Sequence, residues 1–113
     1  MSLMRNDVLV YISGPITAKD GFTLEENVAA GVQLFLQLTA RGIPAFCPHL
    51  CGTFADITWA RWMEYDLAVL PRCTHILLLP RWWRSRGARA EVACAIGHDL
   101  TVLTDISQLD DPS

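Results

Sequence analysis

The sequence predicts a single α/β domain, a parallel sheet of four or five strands with helices on both faces. The first observation is that strand-length apolar segments alternate with longer segments of helical periodicity, in the order β-α-β-α-β-α-β. The second is that the strand segments are almost wholly apolar, as expected where both faces of a sheet are covered. The third is that turn and capping residues separate the segments.

The first strand and helix have clear boundary signals. Residues 7–13 (DVLVYIS) form the strand, and residues 14–22 form a loop that contains Gly and Pro. Thr23 and Glu26 then match the T-x-x-E capping box that starts many helices. The helical spacing that follows predicts one long helix with Gly42 as its C-terminal cap.

The rest of the chain continues the alternation. Asp56 is the expected N-cap of the second helix, and Pro71 lies near its end. The predicted elements are a strand over 43–48, a helix over 57–73, a strand over 74–80, a helix over 85–97, a strand over 100–105 and a tail with room for one turn. Ligands of such sheets bind beyond the carboxyl ends of the strands. Three loops should therefore form one rim: 14–22, 48–56 and 81–87.

Composition excludes several classes of protein. The 113 residues are 51% hydrophobic and 19% charged, which argues against disorder and suits one domain with a core over about 7–105. A net charge of −3 gives no drive toward nucleic-acid polymers or anionic membranes. No apolar run reaches the roughly 18–20 residues of a membrane span, and the N-terminus lacks a signal-peptide pattern. We therefore expect a cytoplasmic protein.

The four cysteines do not have the spacing of a metal site. Cys47 and Cys51 flank His49, whereas Cys73 and Cys94 are far apart. Zinc sites usually show paired C-x2-C or H-x3–5-H motifs, and neither is present. We expect reduced, mostly buried thiols, and neither a metal nor a cofactor.

The first rim loop has residues that allow close approach to the backbone. We expect a ligand to contact Ser13, Gly14, Pro15 and Ile16, where small residues allow close approach and free backbone N–H groups, which Pro15 lacks, can hold an anion. The segment is neither a G-x-G-x-x-G dinucleotide loop nor a Walker A loop. A simple strand-to-helix turn is the alternative.

The third loop and helix give a stronger signal. Ser85, Gly87 and Ala88 open the helix, so their N–H groups and the helix dipole favour a phosphate. Arg84 or Arg86 can add a charge-assisted contact. In the same loop, Trp82 and its neighbour Trp83 can stack on a base or pack in a subunit contact.

Two carboxylates sit among apolar neighbours. Glu91 lies about one turn into the third helix, where an ionised side chain facing the rim would be a nucleophile or base. Asp66 lies late in the second helix, with Glu64 as a competing candidate. Two acids near one site would have different pKa values and different roles. Solvated surface charges are the alternative for each.

Four motifs together resemble the nucleoside 2-deoxyribosyltransferase superfamily, near its 2′-deoxynucleoside 5′-monophosphate N-glycosidases. They are Y-I-S-G-P, M-x-x-D-L, L-L-L-P-x-W and S-x-G-A-x-x-E. The resemblance implies a flavodoxin-like or Rossmann-like sheet and cleavage of an N-glycosidic bond. It also implies that Glu91 is the nucleophile, Asp66 the second acid and Tyr11 an aromatic hydroxyl near the nucleophile. In the monophosphate hydrolases the residues matching Ser13, Ser85 and Gly87 hold the 5′-phosphate.

Two positions depart from the pattern of these relatives. Arg81 stands where they usually have a flexible Gly, and Thr74 where an Asp is common. The first departure affects the rim and so the shape of the ligand site, whereas the second is structural. Neither removes a proposed catalytic group.

The resulting expectation is a hydrolase or deoxyribosyl transferase that acts on a nucleoside 5′-monophosphate through a covalent glycosyl-glutamate. A non-catalytic nucleotide-binding sensor is one alternative, and a glycohydrolase acting on NAD or a cyclic nucleotide is another. Four Trp in a short chain also predict a homo-oligomer, most simply a dimer.

Overall fold

The computed structural model describes residues 4–51 and 56–110. They form one α/β domain around a four-stranded, all-parallel sheet with the order β2-β1-β3-β4, as the sequence predicts. The strands are β1 (Val10–Ser13), β2 (Ala45–Phe46), β3 (His75–Leu78) and β4 (Thr101–Leu103), each shorter than its predicted segment. Residues 52–55 of the predicted second rim loop, and 111–113 of the tail, lie outside the described residues.

Three helices connect the strands: α1 (Leu24–Ala40), α2 (Trp59–Val69) and α3 (Arg86–Gly97). The predicted capping box starts α1, since the Thr23 hydroxyl accepts from the Glu26 N–H and the Glu26 carboxylate accepts from the Thr23 N–H. Short 3-10 turns occupy Pro48–Cys51, Leu70–Arg72, Trp82–Arg84 and Ile106–Leu109. Within the described residues, no helix combines the length and the apolar character that a membrane span needs.

One helix boundary differs from the prediction, and another confirms it. Thr58, not Asp56, caps α2, and its hydroxyl accepts from the N–H of Arg61 at 3.1 Å. An N-cap side chain accepts a hydrogen bond from the N–H three residues later, as Thr58 does here, and α2 begins at the next residue, Trp59. Helix α1 ends at Ala40. Gly42 follows with a φ of 72°, which glycine adopts readily.

The two faces of the sheet carry separate apolar cores. Val10 and Ile12 of β1 pack on one face with Leu38 of α1. Tyr11 points to the opposite face and packs in a cluster with Val92 of α3. Alternate residues of a strand face opposite sides, so the unbroken apolar run covers both. Helices therefore cover both faces, as the sequence predicts.

The strand order creates a switch point between β1 and β3. From β1 the chain passes through α1 to β2 on one side, then returns across the sheet to β3 on the other. Ser13 pairs with Leu78 at the ends of these strands, and the N–H of Leu79 donates to the carbonyl of Ser13 at 2.8 Å. The first and third rim loops therefore lie side by side, where open parallel sheets bind their ligands.

A histidine after β2 ties the first loop to α1. The ring of His49 is buried, and burial lowers its pKa, so the neutral ring donates through Nε2 to the carbonyl of Pro15 at 3.2 Å. The ring packs against Gly31, where an added Cβ would lie 2.3 Å from His49 Cγ. No side chain fits at residue 31 unless the ring moves.

We expect Gly31→Ala to destabilise the protein by about 1–3 kcal/mol, the usual cost of overpacking. This steric cost should exceed the roughly 1 kcal/mol by which alanine favours a helix over glycine. Gly97→Ala is the matched control, because Gly97 is also helical and an added Cβ meets nothing within 4 Å. Urea denaturation measures both, and equal midpoints for the two variants would contradict the packing argument.

Candidate active site

A cavity of about 370 Å³ lies at the switch point, beyond the carboxyl ends of β1 and β3. The first loop and α1 form one wall, and α2 with the start of α3 forms the other. Small-molecule sites usually measure about 300–1,000 Å³. Ten of the residues predicted to bind or react with a ligand line it: Gly14, Pro15, Ile16, Asp66, Arg84, Ser85, Arg86, Gly87, Ala88 and Glu91.

The sheet holds Glu91 by both of its carboxylate oxygens. Ala88, Glu91 and Ala95 lie on the buried face of α3, where two small side chains let the helix approach the sheet. Tyr11 and Ser13 are two residues apart in β1 and so project to the same face. The Tyr11 hydroxyl donates to Glu91 Oε2, and the Ser13 hydroxyl donates to Oε1 over 2.7 Å.

Burial dominates the ionisation of this carboxyl group. Glu91 is only 5% exposed, and burial raises its pKa to about 7. The hydroxyls of Tyr11 and Ser13 oppose the shift because they stabilise the carboxylate, while the nearby charge of Asp66 adds to it. Burial, and next the charge of Glu91, raise the pKa of Tyr11, so its hydroxyl remains a neutral donor.

A second buried acid lines the same cavity. Asp66 of α2 is 7% exposed, and burial raises its pKa to about 6. Its Oδ1 has no hydrogen-bond partner among the described residues. Glu64, the competing candidate, is an exposed residue that pairs with Arg61 at 3.0 Å. The structure therefore brings Asp66, and not Glu64, to the cavity that contains Glu91.

The start of α3 offers hydrogen-bond donors to the cavity. The Ser85 hydroxyl accepts from the N–H of Ala88 at 3.1 Å and so caps the helix. The N–H groups of Arg86 and Gly87 lie in the first turn, where the helix has no carbonyl to accept from them. At Gly87 an added Cβ would lie 3.3 Å from Met63 Sδ, so the wall is close there. Donors and dipole together favour an anion at this end of the cavity.

The cationic side chains of the rim are already engaged in contacts. Arg84 pairs with Asp20 at 3.3 Å, and Lys19 Nζ donates to the carbonyl of Arg84 at 3.0 Å. The guanidinium of Arg86 lies 4.2 Å from the ring centre of Trp59, in a cation–π contact. Of the two arginines predicted at a phosphate, Arg86 makes no ion pair within the described chain, whereas Arg84 makes one.

Two predicted ligand residues lie elsewhere. The sequence predicts Ser13 at a phosphate, but Ser13 shares a face of β1 with Tyr11, so its fully buried side chain turns with Tyr11 toward Glu91. It also predicts Trp82 at a base, but Trp82 packs against the core cluster beneath α3 and does not line the cavity. A 3-10 turn redirects the chain at Trp82.

The aromatic side chains at the cavity come from α2 instead. Trp59, Trp62 and Met63 line it together with Asp66. Their spacing of i, i+3, i+4 and i+7 puts all four residues on one helix face. Their helical spacing from Asp66 is therefore the sequence signal that could have identified them as cavity residues.

Comparison with known proteins places the chain in a family. Residues 8–104 match the family model described as Domain of unknown function (DUF4406), a match that spans all four strands and all three helices. No curated protein matches the chain.

The raised pKa of Glu91 predicts how stability depends on pH. The folded state keeps this proton up to about pH 7, whereas an unfolded glutamate loses it near 4.5. The folded state therefore binds more protons in between, and stability falls as pH rises through this range. We expect Glu91→Gln, which has no proton to lose, to gain as much as about 3 kcal/mol relative to the unsubstituted chain between pH 4 and pH 8.

Urea denaturation at a series of pH values measures this difference. Glu25→Gln is the control, since Glu25 is an exposed glutamate in the first turn of α1. A stability difference between Glu91→Gln and the unsubstituted chain that stays constant with pH would contradict the prediction.

Proposed function

We propose that this chain, which belongs to the DUF4406 family, cleaves the N-glycosidic bond of a nucleoside 5′-monophosphate through a covalent glycosyl-glutamate. One observation carries the proposal: a buried Glu91 carboxylate, held by two strand hydroxyls, faces a cavity that also contains the unpartnered acid Asp66. The motif resemblance to nucleoside 2-deoxyribosyltransferases supports the same bond type and the same nucleophile.

The proposed reaction has two steps. A Glu91 oxygen attacks the anomeric carbon of the sugar as the bond from that carbon to the base nitrogen breaks. The electron pair of the broken bond stays on the base, which takes a proton from Asp66. Water then attacks the same carbon, gives a proton to Asp66 and frees the Glu91 carboxylate. With another base in place of water, the same intermediate gives transfer.

The reactive state requires an ionised Glu91 and a protonated Asp66. With pKa values of about 7 and 6, the pair holds about one proton between these pH values, and that proton lies mainly on Glu91, so the reactive form is the minor one in which the proton has moved to Asp66. The hydroxyls of Tyr11 and Ser13 favour the ionised form of Glu91. Positive charge that develops at the anomeric carbon favours that form further, since the carboxylate lies in a region of low dielectric.

The start of α3 supports a phosphate on the substrate. Ser85, Gly87 and the guanidinium of Arg86 line the cavity at the positive end of the helix. The cavity is at the small end of the range for ligand sites, which supports a mononucleotide over NAD. Neither Glu91 nor Asp66 forms an ion pair within the described chain, which supports an enzyme over a non-catalytic sensor.

Location and assembly complete the proposal. The four cysteines are free thiols, which supports a reducing compartment such as the cytoplasm. Trp59, which lines the cavity, and Tyr65 are about half exposed on α2. Exposed aromatics of this kind are enriched in subunit contacts, so we propose a homodimer that buries part of α2.

We expect Glu91→Gln to abolish base release, by at least about a thousandfold, because only the carboxylate can form the covalent intermediate. The assay incubates the protein with ribo- and deoxyribonucleoside 5′-monophosphates and measures free base by chromatography. Asp66→Asn should lose activity as well, whereas Glu64→Gln, at an exposed acid of the same helix, should retain it. Calorimetry on Glu91→Gln should show that the nucleotide still binds. Full turnover by Glu91→Gln would exclude Glu91 as the nucleophile.

We expect Ser13→Ala to lower the maximal rate of base release and to move the alkaline limb of its pH profile upward. Without the Ser13 hydroxyl the pKa of Glu91 rises, so the ionised nucleophile becomes rarer and the pair keeps its proton to higher pH. Tyr11→Phe removes the other donor and should shift the profile the same way. A lower rate with both limbs unmoved would mean that Ser13 contributes to packing alone.

A further inference from the structure

Arg81, in the turn after β3, has an unusual backbone conformation. Its φ is 65°, in the left-handed region that costs a residue with a Cβ roughly 1–2 kcal/mol. The side chain reaches across the switch point toward α1. Its guanidinium carbon lies 3.4 Å from the ring centre of Phe22, and its Nη2 donates to Asn27 Oδ1 at 3.2 Å.

Asn27 connects Arg81 to the wall of the cavity by hydrogen bonds. The side chain is 2% exposed, and its Nδ2 donates to the carbonyls of Ile16 and Thr17, at 3.3 and 3.1 Å. Ile16, Thr17 and Arg81 itself line the cavity, whereas Asn27 does not. A chain of hydrogen bonds thus runs from Arg81 through Asn27 to the first loop.

This chain of bonds orients peptide groups of the first loop. The C=O and N–H of a trans peptide point in opposite directions. Once the carbonyls of Ile16 and Thr17 are held on Asn27, the N–H groups of Thr17 and Ala18 must point away from it. The loop therefore presents one defined set of polar groups.

The contact needs the chemistry of arginine. The planar guanidinium lies over the Phe22 ring and also donates to Asn27, whereas a lysine ammonium has no flat face to stack on the ring. Within the described chain no carboxylate lies within 4.0 Å of Arg81, so a salt bridge does not explain its position.

We propose that Arg81 is a positioning residue that fixes the first-loop wall of the cavity through Asn27 and Phe22. In its effect on catalysis this inference rests on the proposed function. In its effect on the loop it does not, and the two can be tested separately.

Hydrogen–deuterium exchange of the free protein tests the effect on the loop. We expect Arg81→Gly to raise exchange in peptides covering residues 14–22 by about tenfold, because it removes one partly buried hydrogen bond and one cation–π contact. Exchange in β1 and β3 should stay unchanged. Arg81→Lys should give an intermediate result.

Asp99→Gly is the matched control. Asp99 also has a positive φ, of 61°, but it is exposed at the end of α3 and far in sequence from the loop. Glycine relieves the same backbone strain there, so this variant should leave the loop as it is. Unchanged loop exchange in Arg81→Gly would overturn the proposal, as would an equal rise in Asp99→Gly or a rise across the whole chain.

Kinetics test the effect on catalysis. For base release from a 5′-monophosphate, Arg81→Gly should raise KM about tenfold, with a smaller change in kcat. An unchanged KM despite a mobilised loop would overturn the role in positioning for catalysis. If the unsubstituted protein releases no base, the proposed function fails, while the exchange experiment still decides whether Arg81 holds the loop.

Discussion

The rest of this structure depends on the burial of one carboxyl group. Glu91 sits between a helix and a sheet, where an ionised group is disfavoured unless donors reach it. The donors are hydroxyls of Tyr11 and Ser13, which the two-residue period of a strand places side by side. Helix α3 can approach them only because Ala88 and Ala95 flank Glu91 on its buried face. Each requirement constrains a different element of the chain.

Topology then decides what the carboxyl group faces. The chain crosses from β2 back to β3, so the carboxyl ends of β1 and β3 open into a crevice instead of meeting a covering loop. The same crevice receives Asp66 from α2 and the donor-rich start of α3. The cavity therefore combines two buried acids with the anion-favouring start of α3.

The fold was predictable because its signals are local and repeated. Buried strands, the Thr23–Glu26 capping box and alternating elements all indicate one architecture. A fold can be predicted from sequence when its local and long-range signals agree in this way. Ser13 was harder because, although the predicted strand already contained it, its contact with Glu91 depends on how α3 packs against the sheet. Trp82 was harder still, since the left-handed backbone at Arg81 sets the direction of the following turn, and no periodicity encodes that.

The positions of the two acids also explain why this cavity needs an ordered wall. Burial raises the pKa values of Glu91 and Asp66. Water that entered the cavity would lower both pKa values toward those of exposed carboxyl groups. The first loop is the wall least supported by secondary structure, and it contains only an isolated bridge between Lys19 and Phe22. Contacts that hold this loop therefore act on the acids at a distance, by keeping the cavity dry. A strained backbone at Arg81 is retained where its side chain can supply such a contact.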